Sequence, residues 1–192
     1  MTFRDGLLSD CRVAFAYASG TAISDQLHRL GAWVAAIDDA AAGDEQAASA
    51  WVAERLPLTA LVFDARSSFE PAGTKGLQKA LERAWITARA VATGALIGAD
   101  TPGRLLFVAP PPDAGAHADG VRAGLENLAR TLSVEWARFG VTAVAICPRT
   151  QTTDHELATL IIFLVSRAGG YFTGCRFDLG SVDAGGAFIT AS

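Results

Sequence analysis

Apolar residues recur along this chain with two periods, and the alternation between them predicts its elements. From Gly120 to Gly140, GVRAGLENLARTLSVEWARFG, the residues Val121, Leu125, Leu128, Leu132 and Trp136 fall at steps of four, three, four and four, which is one face of a helix. Asp119 is placed to cap the start of that helix, and Gly140 to end it in the left-handed conformation glycine tolerates. A buried-strand run, Val141 to Cys147, follows at once and stops at Pro148. Earlier in the chain, Arg12 to Tyr17 reads as a first strand, Thr21 to Leu30 as a short helix, and Trp33 to Ile37 as a second strand closing on Asp38. Asp39 to Leu56 then predicts a helix with Trp51, Val52 and Leu56 on one side, and Leu58 to Asp64 a strand. Ser67 to Gly73 reads as a loop before a long helix from Thr74 to about Leu96, with Leu77, Leu81, Trp85 and Ala88 as its stripe. Gly103 to Pro110 is a further strand. Thr153-Asp154-His155-Glu156 is a capping box that opens a helix through Val165. Strands and helices alternating in this way predict an α/β fold with a mostly parallel sheet.

Length and composition narrow the picture. At 192 residues the chain suits a single domain, 1–192, with a sizeable core. Apolar residues make up 51% and charged residues 19%, a globular balance, and no apolar run approaches the roughly 20 residues of a membrane helix. The opening MTFRDGLLSD lacks a long apolar core and predicts no secretory signal. A net charge of −4 and a pI near 5.3 argue against a nucleic-acid surface. Cys11, Cys147 and Cys175 are odd in number and lack metal-type spacing, so reduced thiols in a cytoplasmic protein are the expectation. Asp154, His155 and Glu156 do not suggest a metal site, because consecutive helical residues point to different faces.

Two stretches carry a resemblance. RAGLENLARTLSVEWARFGVTAVAICPR is similar to the short-chain dehydrogenase/reductase segment that holds the catalytic lysine and the strand after it. Tyr171-Phe172-Thr173-Gly174 resembles that family's Tyr-x-Thr-Gly near the chain end. Gly103 to Pro110 is similar to its Gly-Arg-Ile-Val-x-Ile-Ser-Ser strand, and Leu61-Val62-Phe63-Asp64-Ala65-Arg66 stands where it has Leu-Val-Asn-Asn-Ala-Gly. The resemblance implies a Rossmann-type three-layer sandwich, about six strands with helices on both faces. Only about 20 residues separate Asp38 from Thr59, leaving room for one helix and no further strand, so one edge strand is missing and Trp33 to Ile37 becomes the sheet edge. Only Arg149 to Thr152 stand where the family has its substrate lid, so the lid is absent as well.

The family's chemistry is missing at matched positions. Its catalytic asparagine, serine, tyrosine and lysine fall on Ala80, Pro110, Ala118 and Arg122, with Ala109 the serine position if the register shifts by one. Proton donation needs a titratable O–H within reach, and Ala118 has none. His117 is the one alternative acid nearby, but a one-residue offset at a helix start points its side chain elsewhere. Arg122 stays protonated and so cannot relay a proton as the lysine does. It resembles the arginine of the family's halohydrin dehalogenase branch, which still needs the serine and tyrosine. Tyr17-Ala18-Ser19-Gly20 is shorter than the family's glycine-rich cofactor loop, and Gly20 and Asp38 are vestiges of the cofactor site. Asp38 reads more simply as a strand-end cap.

What the resemblance implies is therefore a degenerate member: a pseudoenzyme subunit that assembles with an active, full-length short-chain dehydrogenase/reductase and stabilises or regulates it. Helices 74–96 and 119–139 and the C-terminal helix and strand are its expected contacts, with a charge at Leu132 expected to weaken assembly. No cofactor is expected on this chain; NAD(P) would be bound by the partner. The alternatives are a divergent NAD(P)-dependent oxidoreductase of the family, or a small-molecule-binding regulator with an apolar pocket near Ala109, Ala118 and Arg122.

Overall fold

The computed structural model describes residues 3–17, 22–69, 73–180 and 189–191. In chain order these form β1 (Arg12–Ala16), α1 (Ala22–Arg29), β2 (Trp33–Ile37), α2 (Asp39–Ala42), α3 (Glu45–Ala53) and β3 (Ala60–Asp64). The single turn α4 (Ala65–Ser68) is followed by α5 (Thr74–Val91), β4 (Gly103–Val108), α6 (Ala118–Glu135) and β5 (Val141–Cys147). Then come α7 (Asp154–Val165), β6 (Arg176–Leu179) and β7 (Ile189–Ala191). The sheet order is β2-β1-β3-β4-β5-β6-β7, with β7 antiparallel to β6 and every other pair parallel. The expected Rossmann-like arrangement is present, with β7 as an addition. As expected, β2 is an edge strand, and the Arg12 guanidinium lies 4.1 Å from the Trp33 ring centre.

Strand alternation builds the two cores. Val13, Phe15, Val62, Leu106 and Ile146 point to the face covered by α1 and α7. Ala14, Leu61, Phe63, Leu105, Phe107 and Ala145 point to the opposite face, under α3, α5 and α6. Helices on both faces explain why all five residues of β3 are buried, as parallel sheets require.

Three expectations are corrected. The helix expected over 39–56 is two helices. Gly43 and Asp44 interrupt it, and Asp44 adopts extended backbone so that its carboxylate accepts from the Ala47 N–H at 2.7 Å and caps α3. Asp119 does not cap α6. The helix starts at Ala118, two residues earlier than that cap implies, with His117 at the cap position, and Asp119 lies in the first turn, where its charge favours the helix dipole. Finally, the face of α5 on the sheet is Ala80, Ala84, Ala88 and Val91, all buried, while Leu77, Leu81 and Trp85 lean on α6. Gly120 and Gly124 on α6 make room for Leu77 and Leu81; a Cβ at Gly124 would meet the Leu81 methyls at 2.7 Å.

The loop expected over Ser67 to Gly73 is also shortened by α4, which runs through Ser68. Past Val91, α5 continues as a wider π turn over Ala92–Leu96. A 3-10 turn, Ala137–Phe139, completes the α6 region, and Gly140 ends it at φ 72° in the left-handed region. Thr153 and Glu156 form the reciprocal capping box of α7. Leu132, only 2% exposed, belongs to the core, so a charge there tests folding and not assembly.

Candidate functional site

At the carboxyl edge of the sheet, where open α/β sheets bind their ligands, the central group is Arg122. Its position in the second turn of α6 turns the side chain back toward the strand ends. One guanidinium nitrogen, Nη1, donates to the carbonyls of both Pro110 and Pro148, each at 2.8 Å. Pro110 follows β4 and Pro148 follows β5, and neither carbonyl is taken up by the sheet ladder there. Arg122 is buried, so this cation is fixed between two neutral acceptors. Its nearest carboxylates stand further off, Asp119 at 3.9 Å and Asp178 at 4.0 Å.

The other residues matched to the family in the sequence, Ala118, Ala80, Ala109 and Pro110, carry no titratable side chain. Ala118, one turn before Arg122 on the same face of α6, is fully buried and donates its N–H to the Gly115 carbonyl. Ala80 and Ala109 are also fully buried, within the core beneath α5 and α6. Pro110 accepts from Arg122 through its carbonyl. His117 makes no side-chain capping bond. The structure brings Pro110 and Arg122 together, and Ala118 lies one turn before Arg122 on the same helix.

Beside Arg122 opens a cavity of about 510 Å³ walled by Arg122, Arg149, Arg176, Glu156 and Asp178. Arg176 is forked onto Asp178 at 2.7 Å and reaches Glu126 at 3.0 Å. This cavity is charged, not apolar, and neither Ala109 nor Ala118 lines it. This cavity is therefore not the apolar pocket expected near Ala109, Ala118 and Arg122. Cys147, at the end of β5, is fully buried; burial pushes its thiol above the ordinary value, and the nearby Arg122 and Arg176 pull against that shift.

On the cofactor side, Asp38 caps α2, its carboxylate accepting from the Ala41 N–H at 2.8 Å. Its role as a strand-end cap, read from the sequence, agrees with this. Ala18, Ser19 and Gly20 lie outside the described residues. Tyr17, just after β1, has left-handed backbone at φ 74°, and its ring stands edge-on to Phe63 at 5.6 Å. The Arg83 guanidinium lies 5.6 Å from that ring and pairs with Asp39, tying α5 to α2. Burial raises the Tyr17 hydroxyl above its ordinary pKa, with Arg83 opposing.

Sequence reading missed a second arginine. Arg66, at the family's glycine position, grips the fully buried Asp64 with contacts of 2.7–3.2 Å and reaches Asp154 at 2.8 Å. Burial opposes charge on Arg66, but the bonds to Asp64 and then Asp154 outweigh it and hold its pKa above the ordinary range. The bridge joins the end of β3 to the start of α7 across the carboxyl edge. The Asp-x-Arg spacing was a signal, but its long-range partner Asp154 was not. Asp154 and Glu156 are thus occupied by Arg66 and Thr153. No group of three or more His, Cys, Asp or Glu among the described residues could hold a metal ion. Nor is any described helix long and apolar enough to cross a membrane.

No protein-family model matches the chain, and no curated protein matches it in sequence. Solved structures do. A short-chain dehydrogenase from Mycobacterium smegmatis superposes with a TM-score of 0.77 at 21% identity, covering 96% of this chain and 98% of that one. A citronellol catabolism dehydrogenase from Pseudomonas aeruginosa PAO1 gives 0.74 at 22% identity, over 92% and 96% of the two chains. A hydroxysteroid dehydrogenase from Escherichia coli gives 0.72 at 15% identity, over 95% and 99%. The chain has the short-chain dehydrogenase fold. At these identities the likeness establishes architecture and leaves the chemistry to the residues.

Proposed function

We propose that this chain is a non-catalytic subunit on the short-chain dehydrogenase/reductase fold, which assembles with an active dehydrogenase/reductase and stabilises or regulates it. The observation that carries the reading is the state of Arg122. A family lysine at this position acts beside a tyrosine hydroxyl, whereas here the cation holds two strand-end carbonyls and its neighbour one turn back is Ala118. General acid–base groups contribute roughly 10²–10⁴ in rate, so replacing the whole set leaves this chain without a route for proton transfer. The Arg66 bridge and the Asp38 cap support the absence of a cofactor, because both occupy groups at the edge where a dinucleotide would lie.

Assembly is supported by the outer surface of α5 and α6. Trp85, 39% exposed, stacks on Trp136 at 6.5 Å, and Val134 is 75% exposed on the same helix pair. An apolar surface on paired helices suits burial against a related helix pair, and the occupant we assign is the matching surface of an active subunit. Titration of the isolated chain with NADH and NADPH, by calorimetry and by a turnover assay, should show neither binding nor oxidation. Tight cofactor binding with turnover would instead support a divergent NAD(P)-dependent oxidoreductase, the reading favoured by the dehydrogenases among its structural neighbours.

A further inference from the structure

We infer that the cavity at the amino-terminal edge of the sheet binds a small organic carboxylate on an apolar body, with Arg104 as the anchor. This cavity, about 690 Å³, opens where β4 and β5 begin, at the opposite edge from Arg122, and its test does not depend on the proposed function. Arg104 is half-buried. Its Nε is enclosed without a hydrogen-bond partner, and Nη1 reaches only the adjacent Gly103 carbonyl at 3.3 Å. No carboxylate among the described residues pairs with it. Four other guanidiniums at the sheet, Arg12, Arg66, Arg122 and Arg176, are each held by carboxylates or carbonyls. Arg104 is the exception.

The surrounding groups leave its charge open. Asp10, on the rim, is paired with Arg167 at 3.1 Å. The Cys11 thiol donates to the Val165 carbonyl, and burial raises its pKa, so it stays neutral and supplies no counter-charge. Burial likewise draws the Arg104 guanidinium below its ordinary value, a loss that a bound anion would reverse. Leu7, Val141 and Val165 give apolar walls, and Tyr171, 92% exposed, stands at the mouth. The volume falls within the roughly 300–1,000 Å³ of ligand pockets. A single planar fork matches one carboxylate, and the apolar walls suit an organic body attached to it.

The probe is octanoate, followed by calorimetry and by the Arg104 Nε–H resonance, with octanamide as the uncharged control. Octanoate should bind saturably and shift that resonance, and octanamide should bind at least about tenfold more weakly. Arg104→Gln should lose about tenfold or more in octanoate affinity. Gly170→Ala keeps the charge but places a Cβ 2.8 Å from Nη2, so it should displace the guanidinium head and weaken binding by a smaller factor. This variant carries the test if Arg104→Gln does not fold. Equal affinity for octanoate and octanamide would overturn the proposal. So would full octanoate affinity in both folded variants, or no saturable binding by the wild-type chain.

Discussion

Replacing Arg122 separates a structural clamp from a relic of catalysis. In Arg122→Met the side chain keeps its length and burial, but the carbonyls of Pro110 and Pro148 lose their shared donor. Hydrogen bonds to a charged group contribute about 1.5–3 kcal/mol each, so the gross loss from two is about 3–6 kcal/mol. Against this stands the cost of holding a guanidinium in a buried position, which the methionine does not incur. The net expected loss is about 3 kcal/mol. For a chain of this size that corresponds to a fall in Tm of roughly 6–12 °C. Arg122→Lys keeps the charge but carries no planar fork, so its ammonium serves one carbonyl well and the other poorly, at about 1–2 kcal/mol. Urea unfolding followed by circular dichroism reads both as shifts in midpoint at unchanged slope. A methionine variant within about 1 kcal/mol of wild type, or a lysine variant as stable as wild type, would refute the clamp.

Other consequences are open to simple assays. Ala118→Tyr with Arg122→Lys should give no NAD(P)H turnover, since the other family positions stay replaced; measurable turnover would overturn the pseudoenzyme reading. Val134→Glu should lower the oligomer mass seen by light scattering while leaving the fold intact, whereas Leu132→Glu should unfold the chain; an unchanged oligomer in Val134→Glu would remove α6 from the interface. Arg66→Gly restores the family residue but strands Asp64, which is fully buried, and should cost about 3 kcal/mol or more in the same unfolding experiment. The Thr153 N–H and hydroxyl hold the Glu156 carboxyl below its ordinary value. Its folded pKa is lower than its unfolded one, so its contribution is present above about pH 4.3 and disappears as pH falls through the folded value. The stability gap between wild type and Glu156→Gln should therefore narrow on acidification; a constant gap would contradict the capping role.

Much of the fold was legible because the signals were local. The α6 periodicity, Gly140 after it and Pro148 after β5 fix a helix, a turn and a strand from neighbouring residues alone. The Thr153–Glu156 box and the Asp38 cap are likewise local bonds. Gly43-Asp44 carried a helix break and a new cap that the surrounding alanines obscured. What was not legible depends on distant partners. β7 exists by pairing with β6, and the face of α5 turned to the sheet was settled by the small residues of α6, which draw Leu77 and Leu81 aside. At the site, the burial of Ala118 and the closeness of Pro110 to Arg122 follow from the helix and strand pattern around them. The bond from Arg122 to two carbonyls, and the reach of Arg66 to Asp154, were set by strand ends remote in the chain.

The central claim is association without chemistry, and native mass spectrometry of the tagged chain purified from its own cells tests it most directly. The account predicts a hetero-oligomer containing a longer short-chain dehydrogenase/reductase that keeps the glycine-rich loop and the Tyr-x-x-x-Lys pair, with any nucleotide mass on that subunit. A homo-oligomer of this chain alone, carrying bound NAD(P), would contradict it.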